Sequence, residues 1–203
     1  MNSDIMSISR LRMATDGNGI TTLVGFYGCP LECKYCINRQ CHGETVRGDY
    51  TPDELVSILA KDEPYYLMTG GGVTFGGGEP LLQSKFIHDV CALMSKEWNR
   101  TVETSLYVPW ENIELLLDDI DYWFIDIKDF RPEIYKQYTG KDNGIVIENL
   151  KRLVGAIDPH KMCIRIPFIP GFNTKESTTE ALTHVLENIS AAVDIEVFDY
   201  IRC

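Results

Sequence analysis

The chain has 203 residues, of which 44% are hydrophobic and 24% charged, and its formal net charge at pH 7 is −11. These proportions are typical of a folded protein rather than a disordered one, and the length allows one substantial core, so we expect a single domain over residues 1–203. The acidic charge disfavours nucleic acid as a partner, and no apolar run approaches the roughly 20 residues of a membrane-spanning helix, so we expect a cytoplasmic protein that binds neither nucleic acid nor membrane.

Segments typical of strands and of helices alternate along the chain. Runs of β-branched and aromatic residues predict six strands, at 21–27, 72–75, 100–107, 122–128, 162–168 and 195–200. Helical spacing lies between them, after the helix-start signal Thr51-Pro52-Asp53-Glu54 and at 83–97, 109–117, 145–157 and 174–189. This order predicts an α/β fold in which six βα units form a partial (β/α)6 barrel of parallel strands, with a doubly wound open sheet as the alternative.

A group of cysteines follows the first predicted strand. Three of the seven cysteines fall within eight residues, at Cys29, Cys33 and Cys36. The carboxyl ends of strands carry the ligand sites of α/β folds, and cysteines at such spacing in a cytosolic protein bind metal more often than they form disulfides. Three thiolates would leave one iron of a [4Fe–4S] cluster open to another ligand. A structural zinc site completed by Cys41 or His42 is the alternative.

The spacing C-x3-C-x2-C, with Tyr35 before the last cysteine, resembles the signature of the radical S-adenosylmethionine (SAM) superfamily. The resemblance implies a radical SAM core in which the open iron chelates SAM, and reductive cleavage of SAM gives a 5′-deoxyadenosyl radical that abstracts hydrogen. Gly76-Gly77-Gly78-Glu79-Pro80, after the second predicted strand, resembles the GGEP element that holds the methionyl amino group of SAM. The resemblance therefore assigns Tyr35, Gly77, Gly78 and Glu79 to SAM binding.

Three further motifs, all at predicted strand ends, narrow the resemblance to the glycyl radical enzyme activating enzymes, the pyruvate formate-lyase activase group. They are the acidic-Thr pair Glu103-Thr104, the D-x-K motif Asp126-Ile127-Lys128 and the R-x-x-x-x-P-G segment that begins at Arg165. Carboxylates can face the cationic groups of SAM, while Lys128 and Arg165 can neutralise its carboxylate. The family resemblance also implies a monovalent cation near SAM, bound by Glu103, Thr104 and Asp126.

For function, this resemblance implies an oxidoreductase that removes hydrogen from a protein substrate and leaves a glycyl radical on a partner enzyme. It also implies an external electron donor such as flavodoxin or ferredoxin. The alternative is a peptide-modifying radical SAM enzyme, an epimerase or cross-linking maturase. An epimerase must return a hydrogen atom, which the thiol of Cys41 or Cys203 could provide. A metal-binding or scaffold protein without catalytic activity is a third hypothesis.

Two features stand outside these motifs. The DGPGIR element of the family appears here as Asp16-Gly17-Asn18-Gly19-Ile20-Thr21, so its proline and its arginine are lost. If that arginine helps to seat the partner enzyme, the usual partner is in question. Cys91 falls in a predicted helix and Cys163 in a predicted strand, and we expect both to be buried as small hydrophobic residues.

Overall fold

The computed structural model describes residues 2–13, 15–43, 48–174, 176 and 193–199. Its strands are β1 (Ser3–Met13), β2 (Ile20–Phe26), β3 (Gly48–Tyr50), β4 (Gly72–Gly77), β5 (Asn99–Thr104), β6 (Tyr122–Asp126), β7 (Met162–Phe168) and β8 (Asp194–Asp199). Its α-helices are α1 (Pro52–Leu59), α2 (Glu63–Thr69), α3 (Ser84–Leu93), α4 (Trp110–Glu114), α5 (Pro132–Thr139) and α6 (Gly144–Ala156). The chain forms two compact units, the first from residues 1–29, 38–104 and 110–123 and the second from residues 30–37, 105–109 and 124–203.

The sheet of the first unit has the strand order β3-β1-β2-β4-β5. β1 is antiparallel to both β2 and β3, whereas β2, β4 and β5 run parallel to one another. In the parallel register Phe26 lies beside Gly77, so β2 and β4 end at the same level. The loops that follow these two strands therefore begin side by side, which places the first cysteine next to the glycine-rich turn.

The core of the first unit is aromatic where α3 covers the sheet. Phe26 and Phe75 lie on neighbouring strands, and their ring centroids are 6.2 Å apart. Phe86 of α3 meets Phe26 edge to face at 6.1 Å, and all three rings are buried. Such pairs add about 0.5–1.5 kcal/mol each beyond the burial of their area. These ring contacts fix the end of β2, from which the cysteine-bearing loop leaves the sheet.

In the second unit, β7 and β8 pair in parallel, and the backbone after β6 hydrogen-bonds to β7 through Ile127 N and the Arg165 carbonyl, 3.0 Å apart. The core consists of aliphatic side chains from β6, β7 and the apolar stripe of α6: Ile125, Ile164, Ile166, Val146, Leu150 and Leu153. Asn149, buried on the same helix, donates to the carbonyl oxygens of Leu106 (2.9 Å) and Val108 (2.8 Å). It thereby satisfies the backbone of a segment in which Leu106 has a φ of +59°.

Most predicted elements are confirmed, and the α/β class is confirmed with them. The six predicted strands correspond to β2, β4, β5, β6, β7 and β8, and the helix start at Thr51 forms a capping box with Glu54. Two strands that were not predicted, β1 and β3, extend the sheet at one edge, where β1 is antiparallel to both β2 and β3. β5 ends at Thr104 rather than residue 107, because the left-handed backbone of Leu106 cannot continue a strand.

Two helices, α2 and α5, were not predicted. Both are short, with seven and eight residues, and both begin with a proline in the first turn. The predicted helix over 174–189 falls almost entirely outside the described residues. The single domain over residues 1–203 stays a prediction. None of the helices in the described ranges is long and apolar enough to cross a membrane.

Candidate functional site

The cysteine-bearing loop leaves β2 through Gly28 and Cys29. Gly28 has a φ of +91°, and its amide donates to the carbonyl oxygen of Cys41 at 3.1 Å. This bond closes the base of the loop over residues 28–41. The Cys41 side chain is 1% exposed, in a short 3-10 turn, so it faces the interior of the first unit. The Cys29 side chain, in contrast, is partly exposed.

The glycine-rich turn after β4 is bound directly to this loop. The amide of Gly78 donates to Phe26 O at 2.9 Å, and the amide of Glu79 donates to Gly28 O at 2.8 Å. A Cβ added to Gly77 would lie 2.7 Å from the Cα of Gly25, and φ at Gly77 is +96°, so a side chain is excluded there. The Asn38 side-chain amide donates to Gly77 O at 2.7 Å, which ties the exit of the cysteine loop to the same turn.

Glu79 and Thr104 form a buried contact between the turn and the end of β5. Both residues are at most 2% exposed. The Thr104 hydroxyl donates to Glu79 Oε1 at 2.7 Å, and the amide of Leu81 donates to the same oxygen at 3.3 Å. The sequence assigned Glu79 and Thr104 to SAM and to a cation, and the structure shows that they also bind each other. The cation site stays a prediction.

Glu103 lies on the opposite face of β5, beside Gly76 of β4. A Cβ added to Gly76 would lie 3.0 Å from Glu103 Oε2. Arg12 of β1 pairs with Asp16, with Nη2 3.0 Å from Oδ1, and the pKa of Arg12 is raised by this hydrogen bond and further by the charge of Glu103. Arg12 is also the register partner of Thr21, and side chains of cross-strand partners share a face. The hydroxyl of Thr21 is buried there without a hydrogen-bond partner among the described residues.

In the second unit, the middle of the cysteine loop rests on the end of α5. The amide of Glu32 donates to Thr139 O at 3.0 Å, and the amide of Lys34 donates to Tyr138 O at 3.1 Å. The carbonyl groups of the last helical turn have no partner within a helix, so the loop amides satisfy them. Cys33 and Cys36 follow on this support, and Cys36 N donates to Cys33 O at 3.1 Å.

The strand ends of the second unit bring three predicted charges together. Arg165 donates to both oxygens of Asp126, at 2.9 and 3.3 Å, and stacks over the ring of Phe124 at 4.4 Å. Lys128 Nζ lies 3.8 Å from Asp126 Oδ2. Burial works to raise the pKa of Asp126, but the charges of Lys128 and Arg165 outweigh it and hold that pKa below its ordinary value. Two cations share one carboxylate, so the group has a net positive charge that suits an anionic ligand.

Cys33 lies within the field of this charged group. Burial raises the pKa of its thiol, and the charge of Lys128 acts in the opposite direction. Cys36 is near enough for its charge to act on Cys33 as well. Across the described ranges, however, no three His, Cys, Asp or Glu side chains stand close enough together to hold a metal ion. Within the second unit, Cys33 and Cys36 lie on the loop segment that α5 supports.

Cys91 and Cys163 are buried, as the sequence predicted. Cys91 lies in α3 and Cys163 in β7, and neither forms a disulfide. Burial raises the pKa of the Cys91 thiol to about 12 and that of Cys163 to about 11, so both stay protonated at neutral pH. Cys203 lies outside the described residues.

Sequence reasoning missed three side chains that hold the site. Asn38 comes two residues after the last cysteine of the motif, where a polar loop residue alone gave no sign of its bond to Gly77. Tyr138 and Phe172 lie outside the motifs described above, and their contacts with Tyr35 join positions more than 100 residues apart. Spacing along the sequence carries no signal for such contacts.

Comparison with known proteins identifies the family. Residues 23–182 match the model of the Radical SAM superfamily. The chain is 32% identical, over 187 residues, to the pyruvate formate-lyase-activating enzyme of Clostridium pasteurianum, covering 91% of this chain and 77% of that protein. It is 29% identical, over 248 residues, to the 4-hydroxyphenylacetate decarboxylase activating enzyme of Clostridioides difficile (strain 630), covering 90% of this chain and 78% of that protein.

Solved structures share the fold. Streptococcus suis SuiB bound to S-adenosylmethionine superposes with a TM-score of 0.67 at 17% identity, covering 87% of this chain and 39% of that one. QueE from Escherichia coli superposes with a TM-score of 0.54 at 12% identity, covering 98% of this chain and 95% of that one. At such identities the likeness concerns the fold alone, and it confirms the predicted α/β fold class.

Proposed function

Because this chain belongs to the radical SAM superfamily, and to the family of the pyruvate formate-lyase-activating enzyme, we propose that it generates a glycyl radical on a partner protein. The chain is a radical SAM enzyme, and its cofactors are a [4Fe–4S] cluster and SAM. We further propose that the substrate is a backbone glycine of a partner enzyme. The electron comes from an external donor such as flavodoxin or ferredoxin, and the protein works in the cytoplasm. The observation that carries the proposal is the cysteine-bearing loop, whose start at Gly28 is hydrogen-bonded to the glycine-rich turn and whose middle is hydrogen-bonded to the end of α5.

The donor set fits an iron–sulfur cluster with three protein ligands. Cys29, Cys33 and Cys36 are all partly exposed and none forms a disulfide. Cys41 is buried and its backbone closes the base of the loop, which argues against a fourth ligand from that position. When bound, the cluster and SAM together supply a 5′-deoxyadenosyl radical that can abstract a hydrogen atom.

Residues of this chain would bind and orient SAM at its charged methionyl end. Lys128 and Arg165, with one shared carboxylate, offer the positive charge that a carboxylate ligand needs. The backbone of Gly77 and Gly78 is open to close approach because neither residue has a side chain. Tyr35 is held between the two loop cysteines of the second unit.

The lost arginine of the DGPGIR element has a counterpart in this fold. Thr21 stands at its position, and Arg12 lies directly across from Thr21 in the neighbouring strand. We propose that Arg12 takes the place of the missing arginine, because its guanidinium lies on the face of the sheet that carries Thr21. Its bond to Asp16 leaves further N–H donors available for a backbone carbonyl of a protein substrate.

An epimerase, one of the two forms of the peptide-modifying alternative, depends on a thiol that can return a hydrogen atom. Of the two candidates, Cys41 is 1% exposed in the first unit, which makes it a poor donor to a bound peptide. The burial of Cys41 therefore favours the activase over the epimerase. Replacement of Cys41 by alanine should leave turnover unchanged in an activase, whereas an epimerase that uses Cys41 should lose turnover and still cleave SAM.

The first experiment tests the cofactor chemistry. Protein reconstituted with iron and sulfide without oxygen is reduced, and its electron paramagnetic resonance (EPR) spectrum is recorded with and without SAM, followed by measurement of 5′-deoxyadenosine. We expect a cluster signal that changes with SAM, and its loss in Cys33→Ala but not in the matched control Cys91→Ala. Zinc in place of iron, or no 5′-deoxyadenosine, would overturn the proposal.

The second experiment tests the substrate. A candidate glycyl radical enzyme, carrying glycine deuterated at Cα, is mixed with the reduced protein and SAM. The proposal predicts deuterium in 5′-deoxyadenosine together with the EPR doublet of a glycyl radical on the partner. Deuterium transfer without a persistent radical, and with an altered residue in the partner, would point instead to peptide modification.

A further inference from the structure

We propose that Phe172 and Tyr138 are positioning residues for the cluster, which act by holding Tyr35 and with it the Cys33–Cys36 segment. The inference rests on the proposed function only in taking these cysteines as cluster ligands. It assigns a task to residues that lie after β7 and at the end of α5, far from the motif in sequence. Their contacts all lie within the second unit.

The three rings form a closed set of contacts. The Tyr35 ring lies 6.1 Å from Phe172, edge to face, and 6.3 Å from Tyr138. Tyr138 and Phe172 meet each other at 5.4 Å, also near edge to face. Edge-to-face pairs at such distances are favourable because the positive ring edge meets the negative ring face. Each ring therefore restricts the other two.

Lys34 adds a charged contact to the same set. Its Nζ lies 5.0 Å from the centre of the Phe172 ring, within the range of a cation–π interaction. The Lys34 amide also donates to the Tyr138 carbonyl. Both residues between Cys33 and Cys36 are therefore anchored. Lys34 is held by its side chain and its backbone amide, and Tyr35 is held by its ring.

This attachment determines where the neighbouring thiols lie. Cys33 and Cys36 flank the two anchored residues, and a loop held only at its ends would sample many backbone conformations. Fixing residues 34 and 35 leaves little freedom for the thiols on either side. The loop segment is thus preorganised for its metal, and water has less access from the side of the rings.

The test compares Phe172→Leu, which removes the ring but keeps an apolar side chain, with Phe172→Tyr, which keeps the ring. Phe168→Leu is the matched control, since Phe168 lies on the face of β7 opposite to Arg165. The measurement is the rate at which reconstituted protein loses iron to a chelator, with the EPR spectrum recorded in parallel. Lys34→Met, a change at an exposed position, provides a second variant that does not endanger folding.

We expect Phe172→Leu to lose iron about three- to tenfold faster, the factor that follows from losing one or two aromatic contacts. Lys34→Met should show a smaller increase in the same direction, and Phe172→Tyr should match the parent. Equal rates in Phe172→Leu and Phe168→Leu, or an unchanged EPR spectrum and rate in Phe172→Leu, would overturn the inference.

A second measurement needs neither SAM nor a partner protein. After removal of iron, the alkylation rates of Cys33 and Cys36 in the full chain are followed by mass spectrometry, with buried Cys91 as internal reference. Phe172→Leu should raise the rates at Cys33 and Cys36 and leave Cys91 unchanged. A uniform rise at all three would indicate general loosening and would refute the positioning role. This outcome is separate from any failure of radical chemistry.

Discussion

Thr104→Val tests the buried contact between the glycine-rich turn and β5. The substitution keeps the shape of the side chain but removes the hydroxyl that donates to Glu79 at 2.7 Å. Glu79 is 1% exposed, so water cannot replace the lost donor. A hydrogen bond to a charged group contributes about 1.5–3 kcal/mol, and we expect a loss of about 2 kcal/mol in the free energy of unfolding. For a chain of this size that corresponds to a fall of about 4–8 °C in Tm.

The assay is urea unfolding of the cluster-free protein, followed by tryptophan fluorescence under reducing conditions. Thr104→Ser is the control, because it retains the hydroxyl and should keep most of the stability. A Thr104→Val protein within about 0.5 kcal/mol of the parent, the usual range for uncritical surface changes, would refute the reasoning. A Thr104→Ser protein as unstable as Thr104→Val would show that the methyl group, and not the hydrogen bond, matters.

Three further predictions concern other parts of the molecule. Burial raises the pKa of the Cys91 thiol from 9.0 to about 12, so its protonated form contributes stability that is fully present below pH 9 and is lost as pH rises toward 12. Urea unfolding should therefore show a smaller loss of stability between pH 9 and pH 11 in Cys91→Ala than in the parent. Asn38→Ala removes the bond to the Gly77 carbonyl, so iron bound per chain after reconstitution should fall. Arg165→Met removes a charge paired with Asp126, so calorimetric titration should show SAM affinity reduced by at least about tenfold, as expected for one lost charge-assisted hydrogen bond.

Each of these three predictions has an outcome that would contradict it. An alkaline loss of stability that is the same in Cys91→Ala and the parent would mean that the thiol ionises as easily in the fold as outside it. Iron content in Asn38→Ala equal to that in Asn112→Ala, which loses a similar bond to the Leu81 carbonyl, would mean that the loop exit needs no anchor. Unchanged SAM affinity in Arg165→Met would remove Arg165 from the binding site.

The strands could be predicted because their signals are local. Runs such as residues 162–168 combine β-branched residues with clear ends, and the strand found there is Met162–Phe168. β1 was missed because its burial does not alternate and its register is broken by irregularities, so the sequence shows no period of two. The short helix α5 was missed because it has no side-chain cap that the sequence could show. The carbonyl groups of its last turn accept hydrogen bonds from the distant cysteine-bearing loop instead.

The site was predictable as a set of residues but not as an arrangement. Spacing identified the cysteines, the resemblance to the activase motifs identified the charges at Asp126, Lys128 and Arg165, and the structure pairs these three charges with one another. Sequence could not reveal that Glu79 and Thr104 would bind each other, because that contact joins two loops 25 residues apart. Contacts of this kind depend on how the sheet packs, and they produce no periodic pattern in the sequence.

The support that α5 gives to the cysteine loop has a consequence for the order in which the protein matures. Glu32 and Lys34 bind carbonyl groups of residues 138 and 139, and Tyr35 rests on residue 172. A growing polypeptide emerges from the ribosome with its amino-terminal part first. The proposed cluster cysteines are therefore synthesised long before the segments that hold them, and iron delivered during translation would reach a loop that has no structural support yet. Cluster insertion should follow release of at least the first 172 residues.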